Sequence, residues 1–452
     1  MISTSTPITR RVLKRIVPTP QQRMKLDQTI EHLKEKVKQQ LKQYPQTITI
    51  QLVGSTAKDT YLSTNLDIDL FICFPQKTTR TELETIGLSV GRALLTNTEE
   101  CYAEHPYVRG EFQGYKTELV PCYQIQSADQ KLSAVDRTPL HTKYIIEHLK
   151  PEQKNEVRLL KQFLTGINCY GAEAEIEGFS GYLCELLILN YNTFENLIKT
   201  AQHWTTPTTI TLAADTSFPF DTPLIVLDPV DPTRNVSSAV SSEKYNTFVT
   251  ACTSYTATPS ETFFYPNPII PWSLKKIKKT LGTKRLIGIT AKKPAIIAEN
   301  LHPQVRKAQR ALVDLCTQHD FIITDSFHYI DTTSFYILLL PQDFILPQTT
   351  THLGPPIKLS AHVKDFLDKW ANHPRTITKP YIKNNRYFVD IKREYREITP
   401  LISDHLFSLH LGKHLDQLDP ADIHLLDHSA IVTESHRLLL TEFLDHTPPW
   451  ER

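Results

Sequence analysis

Two aspartates interrupt a run of apolar residues. Asp67 and Asp69 lie within Leu66–Phe74, and all the remaining residues of this segment are Leu, Ile, Phe or Cys. Such a run predicts a β-strand, and because side chains alternate between the two faces of a strand, both carboxylates lie on one face. Neighbouring like charges repel, and Mg²⁺ commonly binds one or two carboxylates together with substrate phosphates. The pair therefore predicts a magnesium site, with a solvent-facing sheet edge as the alternative.

A glycine–serine pair precedes these acids by about a dozen residues. Gly54-Ser55 follows the predicted strand Thr47–Val53, and Thr56–Thr60 is expected to open a helix whose free N–H groups bind phosphate. A third acid, Glu118, lies in the predicted strand Tyr115–Val120 and is expected beside the aspartates. Three acids can hold two metal ions about 3.5–4 Å apart, an arrangement that activates a hydroxyl and stabilises a leaving pyrophosphate. The pattern predicts nucleotidyl transfer.

The periodicity of the rest of the chain predicts an α+β multidomain fold. A first helix is expected at Arg10–Ile16, further helices at Pro20–Gln43 and Thr79–Leu95, and a hairpin from Tyr107–Phe112 and Tyr115–Val120, which together give a small domain with a mixed sheet. Helices follow at His141–His148, Glu156–Thr165 and Phe179–Tyr191, and then loops and edge strands over Thr205–Asp231. Beyond the prolines of Pro266–Pro271, strands alternate with helices. The strands are expected at Arg285–Thr290, Phe335–Leu340 and Arg386–Ile391, and the helices at Val305–Gln318 and Ala361–Trp370.

These segments divide the chain into three predicted domains. Residues 1–145 form a catalytic domain, residues 146–265 a central helical domain, and residues 266–452 a C-terminal α+β region.

Composition limits the partners and the compartment. With 50 Lys and Arg against 49 Asp and Glu, any binding to nucleic acid must come from local patches. The seven cysteines are scattered without a C-x-x-C spacing, which argues against a disulfide framework or a zinc ribbon. No apolar run reaches about 18 residues, so we expect no membrane span and a cytoplasmic location. The segment before Asp27, which lacks acidic residues, leaves an organelle transit peptide as the alternative.

The residues also carry a family resemblance. Gly54-Ser55 followed by Asp67-Ile68-Asp69 resembles the DNA polymerase β nucleotidyltransferase superfamily. Further segments, in the family's order and over almost the whole chain, narrow the resemblance to the archaeal, class I CCA-adding enzymes, which complete the 3′ end of tRNA. They are Tyr102-Ala103-Glu104-His105-Pro106-Tyr107, Leu119-Val120-Pro121-Cys122-Tyr123, Ser133-Ala134-Val135-Asp136-Arg137-Thr138-Pro139, Gly178-Phe179-Ser180-Gly181-Tyr182-Leu183-Cys184-Glu185-Leu186, Asp228-Pro229-Val230-Asp231, Leu353-Gly354-Pro355 and His410-Leu411-Gly412-Lys413. One position departs from the family, because its third carboxylate is usually Asp and this chain has Glu118.

The resemblance implies a function and a set of site residues. It implies a polymerase β-type head with a mixed sheet, a helical central domain and a C-terminal α+β domain that binds the tRNA acceptor arm. The activity implied is template-independent addition of CCA from CTP and ATP, with Mg²⁺ as cofactor and pyrophosphate as the second product. The implied catalytic and metal-binding residues are Asp67, Asp69 and Glu118, and the implied nucleotide-binding residues are Gly54, Ser55, His105, Thr138, His141, Lys161, Tyr170 and Arg234.

Individual roles follow from the same resemblance. Ser55 and Lys161 would contact the triphosphate, Tyr170 would lie near the sugar and phosphate, and Arg234 would read the incoming base. A guanidinium suits the last role because it can donate to an acceptor on a base edge. Two alternatives stay open, since His141 is equally compatible with a structural histidine and Lys161 with a solvated helix position.

Two basic stretches in the last region are candidate RNA surfaces. The first comprises Lys275, Lys276, Lys278, Lys279, Lys284, Arg285, Lys292 and Lys293 near Trp272; the second comprises Lys379, Lys383, Arg386, Lys392, Arg393 and Arg396 among Tyr381, Tyr387, Phe388 and Tyr395. Basic residues interleaved with aromatics fit RNA backbone contacts and base stacking, although a charge run is equally compatible with a solvated face. A poly(A) polymerase-like enzyme and a non-catalytic RNA-binding protein are the rival interpretations. The sequence is compatible with a homodimer or a monomer.

Overall fold

The computed structural model describes residues 6–45, 47–102, 105–212 and 219–452. The chain forms two compact units, one of residues up to 268 together with 447–452, and one of residues 269–446. The division into three domains at residues 145 and 265 stays a prediction.

A mixed sheet forms the first part of unit one. Its strands are β1 (Thr49–Val53), β2 (Ile68–Phe74), β3 (Thr96–Tyr102), β4 (Pro106–Phe112) and β5 (Tyr115–Tyr123). The spatial order is β1-β2-β5-β4-β3, and only the β2–β5 pair is parallel. The predicted mixed sheet and hairpin are therefore confirmed. Strand β3 was not predicted, because its mostly exposed residues show no alternation of apolar and polar side chains.

Two of the helices in this part of unit one cover one face of the sheet. The helices of this part are α1 (Pro7–Ile16), α2 (Pro20–Leu41), α3 (Gly54–Lys58) and α4 (Arg80–Leu94). Capping boxes at Thr19 and Thr79 satisfy free N–H groups at the starts of α2 and α4. Apolar residues of both helices share a core with alternate residues of β2, namely Ile68, Leu70, Ile72 and Phe74. The intervening positions of β2 face the opposite side, as the alternation predicted.

The rest of unit one is mainly helical. It comprises α5 (Thr138–His148), α6 (Gln153–Gly166), α7 (Gly181–Tyr191), α8 (Phe194–Ala201), α9 (Ser242–Ala257) and the parallel pair β6 (Thr208–Ile210) and β7 (Leu224–Val226). Buried aromatic rings fill its core, with Phe163 in contact with Phe194, Phe248 and Tyr255. Residues 213–218, part of the segment predicted as loops and edge strands, lie outside the described residues.

Unit two is an α+β structure, as predicted. Its elements are α10 (Leu274–Leu281), β8 (Ile287–Lys292), α11 (Ala298–Gln318), β9 (Ile323–Ile330), β10 (Ser334–Pro341), β11 (Thr349–Pro356), α12 (Ser360–Ala371), β12 (Tyr381–Lys383), β13 (Arg386–Lys392), α13 (Ile398–His405), β14 (Ile423–Leu426), α14 (His428–Ile431) and α15 (Arg437–Leu444). The strands form sheets of order β14-β8-β10-β9 and β11-β13-β12. In the described part of the chain, no helix combines the length and apolar character that crossing a membrane requires.

Candidate active site

The sheet register brings the predicted acids together. Asp69 lies in β2 between Val53 of β1 and Glu118 of β5. The parallel pairing places Asp69 directly opposite Glu118, so the prediction that Glu118 lies beside the aspartates in the sheet is confirmed. Asp67 immediately precedes β2, and its carbonyl oxygen accepts a hydrogen bond from the Thr56 hydroxyl at 2.5 Å. This bond ties the start of β2 to α3.

Burial raises the proton affinity of both aspartates, and at Asp69 the neighbouring acids add to this effect. Burial, with the nearby charges of Glu118 and Asp67, raises the pKa of Asp69 to about 7, and Lys58 and Lys161 only partly oppose this shift. Burial also raises the pKa of Asp67, against the lowering effects of Lys116, Asn65 and Arg109. The side chains around Asp69 therefore do not balance its negative charge, which is the condition that a bound cation would relieve.

Glu118 has a partner of its own in this structure. Its Oε1 accepts a hydrogen bond from Arg109 Nε at 2.8 Å, across the β4–β5 pair. No three His, Cys, Asp or Glu side chains within the described ranges are arranged to hold a metal ion. The donor chemistry of Asp67 and Asp69 fits a hard divalent cation. Arg109 engages Oε1 of Glu118, and the second carboxylate oxygen of Glu118 is the one through which it would join them as a third ligand.

Gly54 allows the loop after β1 to approach Asp69. Its φ of +69° is one that residues with a side chain rarely adopt, and a Cβ atom built there would lie 1.9 Å from Asp69 Oδ2. Only glycine fits at this position. The predicted turn from β1 into a helix is confirmed by α3, which begins at Gly54.

A cavity of about 200 Å³ brings together three of the predicted nucleotide-binding residues. It is lined by Ser55, Tyr61, Leu62, Thr64, Asn65, Lys161, Gln162, Thr165 and Tyr170. Lys161 of α6 is only 2% exposed, so the alternative of a solvated helix position is wrong. Ser55, Lys161 and Tyr170 thus share one polar cavity, as their predicted roles require.

His141 and Arg234 meet at a carboxylate that the sequence interpretation had not assigned a role. Asp228 Oδ2 accepts from His141 Nε2 at 2.8 Å and from Arg234 Nη1 at 3.0 Å. Its Oδ1 accepts from the Tyr182 hydroxyl at 3.1 Å, and the Tyr182 ring stacks on His141. Burial opposes the charge of Asp228, but the bond from His141 and the other donors lower its pKa below the usual value. His141 therefore has a structural contact, and its nucleotide role stays a prediction.

A second acid extends this group. Asp231 Oδ2 accepts from Lys131 Nζ at 2.6 Å and from Arg137 Nη1 at 2.7 Å. Burial alone would raise its pKa, but the bonds from Lys131, Thr233 and Arg137 lower it far below the usual value. The sequence analysis used the segment Asp228–Asp231 only for the family resemblance and gave neither acid a role, although the segment directly follows the apolar run Leu224–Leu227.

His105 and Thr138 do not line the cavity around Lys161. His105 is buried, and because a carbonyl oxygen can only accept, its Nε2 donates to Pro121 O at 2.5 Å. Thr138 begins α5, the helix that carries His141. Ala103 and Glu104, which belong to the same quoted segment as His105, lie outside the described residues.

The basic stretches of unit two differ in their contacts. The lysines of α10 are exposed, while Ile277 and Leu281 of the same helix are buried, and Lys276 lies 3.5 Å from the centre of the Trp272 ring. In the second stretch, Arg393 forms an ion pair with Asp320, and Arg386 donates to Gly354 O at 2.7 Å. Several cations of the second stretch therefore have contacts within unit two.

Comparison with known proteins covers most of the chain. Residues 31–141 match the family described as "Nucleotidyltransferase domain", residues 155–265 match "tRNA nucleotidyltransferase, second domain", and residues 282–426 match "CCA-adding enzyme, C-terminal domain".

Archaeal proteins named CCA-adding enzyme are similar over nearly their full length. The Methanosarcina barkeri protein is 34% identical over 93% of this chain and 93% of its own. The Thermoplasma volcanium protein is 37% identical over 90% of each chain. Among solved structures, the Cid1 poly(U) polymerase with Mg and 3′-dATP bound matches 57% of this chain and 96% of its own, at 13% identity and a TM-score of 0.43. From the matches to the archaeal relatives, the chain belongs to the CCA-adding enzymes, a family of tRNA nucleotidyltransferases.

Proposed function

We propose that this CCA-adding enzyme transfers two CMP units and then one AMP unit, from CTP and ATP, to the 3′ end of tRNA at the acids Asp67, Asp69 and Glu118. The observation that carries this proposal is the parallel register that sets Asp69 opposite Glu118, beside a loop that only Gly54 permits. Each transfer joins the 3′ oxygen of the tRNA to the α-phosphorus of the nucleotide and breaks the bond to pyrophosphate. The hydroxyl proton is lost in the same reaction.

A nucleotidyltransferase domain of this kind depends on a divalent metal ion. The ion proposed for this chain is Mg²⁺, held by Asp67, Asp69 and Glu118. When bound, Mg²⁺ lowers the pKa of the attacking hydroxyl and stabilises the charge of the leaving pyrophosphate. Support comes from the pKa of Asp69, which burial and the neighbouring acids raise even though Lys58 and Lys161 act to lower it.

The residues around the cavity orient the nucleotide. The Ser55 hydroxyl and the Lys161 ammonium are proposed to donate to the triphosphate, with Tyr170 beside them near the sugar and phosphate. Arg234, held by Asp228, reads the base, and His141 shares the same carboxylate. His105 and Thr138 are proposed to line the nucleotide pocket, His105 with its Nε2 bonded to Pro121 O of β5 and Thr138 at the start of α5.

The remaining parts of the proposal concern the partner and the setting. The exposed lysines of α10 and the second basic stretch are the proposed contacts with the acceptor arm of tRNA. The catalytic, central helical and C-terminal parts are proposed to be residues 1–145, 146–265 and 266–452. The enzyme is proposed to be cytoplasmic and to act as a homodimer, with a monomer as the alternative.

One assay tests the activity against its rivals. The purified protein is incubated with Mg²⁺, a tRNA that lacks its CCA end, and labelled CTP or ATP. The expected product gains CMP from CTP alone and is complete only with both nucleotides. Long adenylate tails without use of CTP would favour a poly(A) polymerase-like enzyme. Absence of any incorporation by folded protein would favour a non-catalytic RNA-binding protein.

A further inference from the structure

A buried carboxylate lies behind the cavity that the triphosphate is proposed to enter. Glu185 of α7 is fully buried, and its Oε2 accepts from Lys58 Nζ at 2.5 Å. Its Oε1 accepts from the Thr60 hydroxyl at 2.6 Å. Lys161, which lines the cavity, donates from Nζ to Thr60 O at 3.1 Å and to Thr60 Oγ1 at 3.3 Å. One carboxylate thus connects α3, the loop after it and α6.

The chemistry of a hydroxyl gives this chain of bonds a direction. A hydroxyl has one hydrogen to donate and two lone pairs that accept. Because the hydrogen of Thr60 points to the carboxylate of Glu185, Thr60 Oγ1 presents a lone pair to the ammonium of Lys161. Both hydrogen-bond acceptors of Lys161 therefore belong to Thr60, and the ammonium keeps donor capacity for a ligand in the cavity.

The charges in the cluster favour an anionic ligand. Lys58 and Lys161 are 8% and 2% exposed, and two buried like charges repel. Glu185 forms a direct ion pair with Lys58. This pairing leaves the charge of Lys161, the ammonium that lines the cavity, without a direct ion pair among the described residues. A triphosphate carries the complementary charge.

We propose that Glu185 is a positioning residue for nucleotide binding, which pairs with Lys58 and, through the Thr60 hydroxyl, fixes the Lys161 ammonium at the cavity. This inference rests on the proposed triphosphate role of Lys161, and it identifies a residue that acts on the nucleotide through two others. An amide at position 185 cannot accept from both Lys58 and Thr60 with the strength of a carboxylate, so the orientation of Lys161 is lost.

The test is a double-mutant cycle read out by CTP binding. Calorimetric titration of CTP with Mg²⁺ is carried out on the wild type, Glu185→Gln, Lys161→Ala and the double variant. Glu185→Gln is expected to weaken CTP binding by roughly 10-fold or more, as for loss of a charge-assisted bond. In the Lys161→Ala background, the same change is expected to cost little, because Glu185 acts through Lys161. Equal losses in both backgrounds would overturn the proposal.

A second variant guards against loss of folding. Thr60→Val keeps the size of the side chain but removes the hydroxyl that connects Glu185 to Lys161. The bond from Lys161 to Thr60 O and the pair of Lys58 with Glu185 stay in place. It is expected to weaken CTP binding as Glu185→Gln does. The matched control is Glu156→Gln, which changes a half-buried carboxylate of α6 that accepts from Phe194 N at 2.9 Å and does not line the cavity. The control is expected to bind CTP as the wild type does.

The pH dependence of binding adds a readout that a structural role would not change. Burial lowers the pKa of Lys161; Glu185 and Cys184 oppose this shift, while Lys58 and Arg158 add to it. Without the carboxylate of Glu185, the loss of CTP affinity with rising pH should begin at a lower pH than in the wild type. An unchanged profile in folded Glu185→Gln would contradict the proposal.

Failure of the inference can be told apart from failure of the proposed function. Wild-type affinity for CTP in Glu185→Gln overturns the inference, even if the enzyme adds CCA. A wild type that binds CTP but adds no nucleotide to tRNA overturns the proposed function, while the cycle still tests Glu185.

Discussion

Two groups of carboxylates in unit one differ in how their charge is balanced. Asp67, Asp69 and Glu118 lie together at the sheet, and burial together with the two neighbouring acids raises the pKa of Asp69 to about 7. Asp228 and Asp231 lie beyond β7, where donors from His141, Arg234, Lys131 and Arg137 surround them. The pKa values of this second pair are lowered, although burial acts against the charge there as well.

At the sheet acids, the positive groups of the chain do not offset the effects that raise the pKa of Asp69, so a bound cation would stabilise the site. At Asp228 and Asp231, hydrogen-bond donors of the chain stabilise the negative charge. Removing one partner from a satisfied buried network costs stability, because the others lose their bonds. Removing one acid from a group of repelling acids does not carry that cost. The sheet acids should therefore matter for activity, and Asp228 mainly for the integrity of its surroundings.

The largest effect is expected for Asp69→Asn. The change keeps the shape of the side chain but removes the carboxylate proposed to bind the metal ion, so the rate of CMP addition to tRNA should fall on the order of 10³-fold or more. Initial rates with labelled CTP measure this loss. Near-normal activity would contradict the assignment of Asp69 to the metal site.

The same variant also tests the charge imbalance. Without metal at pH 8, Asp69→Asn should be at least as stable to thermal unfolding as the wild type, since repulsion with Asp67 and Glu118 is relieved. Addition of Mg²⁺ should raise the Tm of the wild type more than that of the variant. A strongly destabilised variant would show that Asp69 is a structural residue.

Asp228→Asn, unlike Asp69→Asn, should destabilise the folded protein. His141 and Arg234 then lose a shared carboxylate that is fully buried, and we expect a loss of about 3 kcal/mol in the free energy of unfolding. Urea unfolding followed by circular dichroism measures it. Tyr182→Phe is the milder comparison, because it removes only the hydroxyl that bonds to Asp228. Unchanged stability of Asp228→Asn would remove the contrast between the two groups.

The sequence was most informative where one physical pattern dominates. The alternation of Leu66–Phe74 placed Asp69 on the face of β2 opposite the core residues, whereas Asp67 lies just before the strand begins. The Gly-Ser pair correctly located the turn into α3. Glu118 was expected beside Asp69 because both lie in apolar strands, and the register of β2 and β5 confirms it. The raised pKa of Asp69 follows from the same proximity.

Long-range pairings could not be predicted in this way. Nothing in the local sequence indicates that Glu185 and Lys58, 127 positions apart, form an ion pair. Nor does the local sequence indicate that Arg109 donates a hydrogen bond to Glu118. The exposed strand β3 lacks the alternation of apolar and polar residues from which the neighbouring strands were predicted. Such features depend on packing between elements, whereas periodicity reports only which face of one element is buried.

The dependence of stability on pH should also differ between the two groups. Asp69 has a folded pKa of about 7, above its ordinary value of 3.8, so the metal-free folded protein holds a proton that the unfolded chain releases between about pH 4 and pH 7. Its stability should fall as pH rises through that window, by at most about 1.4 kcal/mol per pH unit, and Asp69→Asn should lack this fall. Asp228 and Asp231 have lowered values, so their contribution is present above pH 4 and is lost as pH falls below it.

Thermal unfolding in EDTA across this pH range measures both slopes. The difference between the wild type and Asp69→Asn isolates the first slope, and a parallel series with Asp231→Asn isolates part of the second. Identical pH profiles of all three proteins would mean that the two groups are balanced in the same way.

The smallest effect concerns Arg109, whose bond to Glu118 makes this acid resemble the second group. Its pair with Glu118 is partly exposed, with side chains 36% and 30% accessible, so water screens the attraction. If Glu118 leaves Arg109 to bind metal, Arg109→Met should lower the Mg²⁺ concentration for half-maximal activity by about twofold to fivefold, consistent with the modest energy of such pairs. Arg92→Met, which breaks the exposed pair with Glu100, is the matched control and should leave the Mg²⁺ requirement unchanged. A higher Mg²⁺ requirement in Arg109→Met would show instead that Arg109 holds Glu118 in place, and Glu118 would then belong with the acids that the chain itself completes.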